Sequence, residues 1–196
     1  MTYSTYYILK KEIKEYIKKR EYSLALNSIS AFVWGLMNSD FAGGNVIGSR
    51  KLDELCESIG LSFFNRYFTD VLINKKDFSS SNKVLIICTG LYKYGGTSLV
   101  IDDLARAHKN MSCSILATNT FNDMTEDDKK IRFENSSYEI KLCESDEPAD
   151  KMFWLINEIL DIKPARILLL NYNQDSVVIS SAASFVGLTD VFFYHH

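Results

Sequence analysis

Hydrophobic positions change their period once along this chain. Up to about residue 77 they recur every three or four residues; from Lys83 they gather into short apolar runs separated by helical stretches. In the first part, Tyr7 to Lys19 sets Ile8, Ile13, Tyr16 and Ile17 at helical intervals among lysines and glutamates. Tyr22 to Met37 does the same with Leu24, Leu26, Ile29, Phe32, Val33 and Leu36, so the two predicted helices can pair. Ser49 is placed to cap a third helix, Arg50 to Ile59, with Gly60 as its stop. A fourth is predicted over Phe63 to Ile73, with Phe64, Tyr67, Phe68 and Val71 inward. The serine-rich segment Asp77 to Asn82 reads as a linker.

Beyond it, Val84 to Cys88 is almost wholly apolar and β-branched, which suits a strand of a parallel sheet covered on both faces. Further strands are predicted at Ser114 to Thr118, Tyr138 to Leu142, Ile167 to Leu170 and Val191 to Tyr194. Between them lie helices over Ala149 to Leu160, with Phe153, Ile156, Asn157 and Leu160 on one side, and over Gln174 to Phe185. The polar stretch Thr120 to Asn135 reads as a surface excursion. Strands alternating with helices give an α/β fold class, a Rossmann-like parallel sheet preceded by a helical segment. The expected organisation is a helical region over 1–77 and the α/β domain over 83–196.

Composition narrows the field. With 196 residues, 46% of them hydrophobic, the chain can bury a substantial core. A net charge of −3 gives no reason to expect nucleic acid as a partner. Charge is uneven, however: Lys10, Lys11, Lys14, Lys18, Lys19 and Arg20 make the start basic, while Asp123 to Asp150 is acidic. A basic start suits either a solvated helix face, the favoured reading, or a peripheral contact with an anionic membrane. Cys56, Cys88, Cys113 and Cys143 are widely spaced, so no metal site is expected and reduced thiols in a cytoplasmic protein are.

The candidate chemistry centres on Gly95 and Gly96, between the first strand and a helix carrying Leu99, Val100, Leu104 and Ala107. Adjacent glycines allow close backbone approach, and a helix start offers N–H groups to a phosphate or other anion. Thr97 or Ser98 is placed to cap that helix, and Asp102 and Asp103 to favour its first turns. The same glycines also suit a plain tight turn. Asn171, Tyr172, Asn173 and Asp175 could meet sugar hydroxyls, though loops and caps use the same residues. Gly43 to Gly48 has phosphate-loop spacing, but Ser49 and Arg50 replace the required lysine and serine or threonine, and no strand precedes it.

Lys83 to Gly90, then Tyr94-Gly95-Gly96-Thr97 and Val100 to Ala107, resembles the first strand, glycine loop and first helix of a GT-B glycosyltransferase of the group 1 kind. Val191 to His196 resembles the strand that ends in a histidine-rich motif in bacterial members, and Tyr22 to Leu26 with Leu52 to Leu55 resembles a helical extension. The resemblance implies transfer of a sugar from a nucleotide-sugar donor to a saccharide, lipid or protein acceptor, with no further cofactor. It implies catalytic histidines at His195 and His196, and donor or acceptor contacts at Gly95, Gly96, Thr97, Asn171 and Asn173. A histidine pair at a terminus is also the form of a tag stub, although the aromatic strand before it favours native sequence. The donor half has no counterpart here, so the expectation is an acceptor-side N-terminal domain that transfers no sugar alone. Two alternatives stay open. One is a non-catalytic binding or regulatory module with a degenerate Rossmann-like domain. The other, a nicotinamide enzyme, is disfavoured because G-x-G-x-x-G is missing and Ala117-Thr118-Asn119 closes the second strand.

Overall fold

The computed structural model of the chain describes residues 3–38, 49–125, 127–128, 130 and 138–194. Its elements are α1 (Tyr3–Lys19), α2 (Tyr22–Met37), α3 (Arg50–Tyr67), α4 (Lys75–Ser79), β1 (Lys83–Cys88), α5 (Gly96–Ala107), β2 (Ser112–Ala117) and β3 (Glu139–Leu142). They are followed by α6 (Pro148–Ile162), β4 (Arg166–Leu170), α7 (Ser176–Ala183) and β5 (Asp190–Phe193). The strands form one sheet in the order β3-β2-β1-β4-β5, every pair parallel, which is a Rossmann-like α/β arrangement. Among the described residues no helix is long and apolar enough to cross a membrane.

Parallel strands need cover on both faces, and alternation along each strand decides what lies where. Ile86 and Cys88 of β1, Ile115 and Ala117 of β2 and Leu170 of β4 pack with Ile101 and Ala105 of α5. Leu85 and Ile87, Leu116, and Ile167 and Leu169 point the other way. There they join α6 and α7, and behind these Leu26 and Ile29 of α2, Ile59 and Phe63 of α3, and Leu9 and Ile13 of α1. The helical front therefore shares one hydrophobic core with the sheet.

Several elements depart from the sequence reading, each for a packing reason. Gly60 does not stop a helix: α3 runs through it to Tyr67, so Phe63 and Phe64 belong to α3 rather than to a fourth helix. Gly60 is there for proximity, because a Cβ on it would lie 1.9 Å from the carbonyl oxygen of Ser180 in α7. The predicted linker overlaps α4, which is capped by the Asn74 side chain accepting from the Lys76 amide and buries Phe78 against Phe185. On α6 the buried side is Lys151, Met152, Leu155, Ile156, Ile159 and Ile162, and Phe153 is exposed. On α1, Tyr6, Leu9 and Ile13 face inward, whereas Ile8 stands out in solvent. All four cysteines are free and buried, and burial pushes the Cys56 thiol up to about 12.

Candidate functional site

The chain leaves β1 for β2 and β3 on one side, then crosses back to place β4 and β5 on the other. The crevice of such a sheet lies at the carboxyl ends of β1 and β4, where the order reverses. Cys88 pairs with Leu170 at this rim, so the β1–α5 and β4–α7 connections start side by side.

The β1–α5 connection begins sealed and ends open. Thr89 and Leu91 are buried. The Tyr92 amide donates to Ser98 Oγ at 3.0 Å, its hydroxyl donates to Asp123 Oδ1 at 2.7 Å, and the Lys93 amide donates to Asp128 Oδ1 at 3.2 Å. Burial, then the Asp123 contact, pushes the Tyr92 phenol up, so it stays protonated. Past these ties, Tyr94, Gly95 and Gly96 are exposed, and the Lys93 ammonium sits 5.2 Å from the centre of the Tyr94 ring.

Neither glycine is demanded by the backbone. Gly95, the N-cap of α5, has φ 179° and ψ 135°, an extended conformation open to any residue. A Cβ on Gly96 would meet nothing within 4 Å. The tight-turn explanation thus loses its mechanical basis. Gly95, at the N-cap position, brings no side chain to cap α5, and Ser98, expected as a cap, closes the loop onto Tyr92 instead. Asp102 and Asp103 lie beyond the first turn and pair with Arg106 rather than supporting the helix start.

The β4–α7 connection is closed at its two ends, by Asn171 and Asp175. Asp175 is fully buried and caps α7, its Oδ1 accepting from the Val178 amide at 3.3 Å. Its Oδ2 accepts from the hydroxyls of Thr89 at 2.9 Å and Thr118 at 2.6 Å, and Thr89 Oγ1 accepts from the Tyr172 amide. One carboxylate thereby ties the ends of β1, β2 and β4. Desolvation raises its pKa, and the hydroxyl and amide bonds oppose that rise. Nearby, the buried Lys151 ammonium donates to the carbonyls of Thr118 and Asn119 and to Asn122 Oδ1, each at 3.0 Å. Asn119 and Asn122 both have positive φ, so this lysine fixes a left-handed turn beyond β2. Burial lowers its pKa.

Among the residues expected to form the site, Gly95, Gly96 and Thr97 stand on the exposed α5 start, and Asn171 and Asn173 on the adjoining connection. Asn171 is 6% exposed; its amide donates to the Tyr172 carbonyl at 3.0 Å, and its Oδ1 is buried with no partner. His195 and His196, and the stretch from Gly43 to Gly48, lie outside the described residues. The reading missed the Thr89–Thr118–Asp175 tie and the role of Lys151. Asp175 was legible as a cap from its place before Ser176-Val177-Val178, and Lys151 from standing on an otherwise apolar helix side. Two open clefts lie elsewhere among the described residues: one of about 500 Å³ lined by Arg20, Leu24, Tyr67 and Phe153, and one of about 440 Å³ at the amino side of β4 and β5.

No family model matches the chain, and neither do any of the curated proteins or solved structures compared with it.

Proposed function

We propose that the chain is the acceptor-side domain of a cytoplasmic sugar-transferring enzyme, whose sheet rim holds the anionic part of a nucleotide-sugar at the start of α5. The supporting observation is the pair Gly95-Gly96: exposed, free of backbone need, bringing no capping side chain of its own, and set at the point where the strand order reverses. With glycine at the N-cap, no side chain at that position competes with a ligand for the amides of the first turn. The Lys93 ammonium beside Tyr94 adds positive charge to the same loop. The catalytic roles of His195 and His196 and the need for a separate donor domain rest on the GT-B resemblance.

Amide spectra recorded during titration with UDP-glucose, UDP and NADH test this. The expected result is saturable shifts of Gly95, Gly96 and Thr97 with both uridine ligands and none with NADH. Shifts absent from this loop, or equal for NADH, would refute it.

A second reading, a docking module, is favoured by Trp34, which stands exposed near the end of α2. Partner loss in Trp34→Ala with uridine binding absent altogether would support it over the first.

A further inference from the structure

The outer face of α1 is not accounted for by the rim. Tyr7, Lys11, Lys14 and Lys18 follow one another at spacings of four, three and four residues, which sets them in one stripe along the helix. All four are exposed, and Ile8 beside the stripe is 64% exposed and Tyr7 69%. Both stand away from the side of the helix that supplies Tyr6, Leu9 and Ile13 to the core. The acidic residues of α1 cancel the stripe only in part, at Lys18. Glu12 accepts from the hydroxyls of Tyr16 and Ser28, and Glu15 pairs with Lys18 at 2.9 Å. Lys11 and Lys14 have no ion-pair partner among the described residues.

Charge is partitioned in the same sense. Residues 1–21 contain six basic and three acidic side chains, a net +3, and the remaining residues contain 16 and 22, a net −6. An anionic partner is therefore attracted at α1 and repelled elsewhere.

We propose that the outer face of α1 docks on an anionic lipid surface, with Lys11, Lys14 and Lys18 against the headgroups and Tyr7 and Ile8 in the headgroup–acyl boundary. A lipid surface is favoured over nucleic acid because it has a use for Ile8, and a phosphate polymer has none. The idea is independent of the sugar-transfer reading.

Sedimentation of the whole chain with vesicles tests it. Phosphatidylcholine vesicles containing phosphatidylglycerol should carry the protein down at low salt and release it at high salt, and pure phosphatidylcholine should not bind. The triple variant Lys11→Glu, Lys14→Glu, Lys18→Glu should weaken partition on the order of a hundredfold. These positions are exposed, so an unchanged circular dichroism spectrum separates lost binding from lost folding. Ile8→Trp should show a blue-shifted emission only with the anionic vesicles. Equal binding to both vesicle types, no vesicle binding at all, an unaffected triple variant, or tight salt-sensitive binding to duplex DNA in place of vesicles would each overturn the proposal.

Discussion

Two helices begin at the same rim of this sheet, and they begin differently. α7 follows β4 and is capped from inside by Asp175, a carboxylate that also gathers Thr89 and Thr118. α5 follows β1, the neighbouring strand, and starts at an exposed glycine with no side-chain cap. A side-chain cap contributes about 1 kcal/mol over alanine but only a few tenths over glycine, so the glycine start of α5 stays open at little cost. One start is part of the scaffold; the other is available to a ligand.

The closed side is where substitution should cost most. α7 is gripped from behind by α3, and Gly60→Ala would drive a methyl group into the Ser180 carbonyl. Backbone on both sides leaves little room to adjust, so a loss of about 3 kcal/mol or more is expected, lowering Tm by roughly 10 °C. A melting curve within 2–3 °C of the parent would mean that the two helices are not held so close.

Asp175→Ala comes next, at about 2–3 kcal/mol by urea denaturation, because it strips the α7 cap, leaves the buried Thr89 hydroxyl short of an acceptor and forces Thr118 onto Thr120. Asp175→Asn, which retains an acceptor, isolates the charge. The folded pKa of Asp175 is raised above its ordinary value of 3.8, so the folded state holds the proton more tightly. Its contribution is complete below that value and is lost as pH rises through the folded pKa. Wild-type stability should therefore fall relative to Asp175→Asn over that interval. A stability gap that is flat in pH, or that moves in the opposite direction, would show that the hydroxyl and amide bonds outweigh burial.

How much of this could be read in advance follows from what each residue answers to. The five strands and the α6 and α7 helices were legible because apolar runs and helical periods are local signals. Gly60 was misread because a glycine stop and a glycine contact look alike until the facing element, Ser180, is known. Ile8 and Phe153 were grouped with residues that turn out buried because the apolar pattern does not say which apolar residue is surplus. At the rim, Gly95 and Gly96 were legible as a place, but their reason was not. They relieve no positive φ, so what remains to explain them is space. Asp175 was seen only as one polar residue of a loop, since its threonine partners lie 57 and 86 residues away.

The open side should respond least in stability and most in ligand binding. Gly96→Ala puts a methyl group into empty space at the first position of α5, so a gain of about 0.5 kcal/mol is expected from the less flexible unfolded chain. Gly96→Asp should fold at least as well, because a carboxylate at a helix start favours the helix by about 0.3–1 kcal/mol. The same carboxylate would occupy the place assigned to a phosphate and repel it. UDP-glucose affinity, measured by calorimetry, should therefore drop modestly for alanine and by at least about tenfold for aspartate, while both proteins melt at or slightly above the parent temperature. Undiminished affinity in Gly96→Asp would place any nucleotide away from α5, and the bare helix start would then be only an omitted cap.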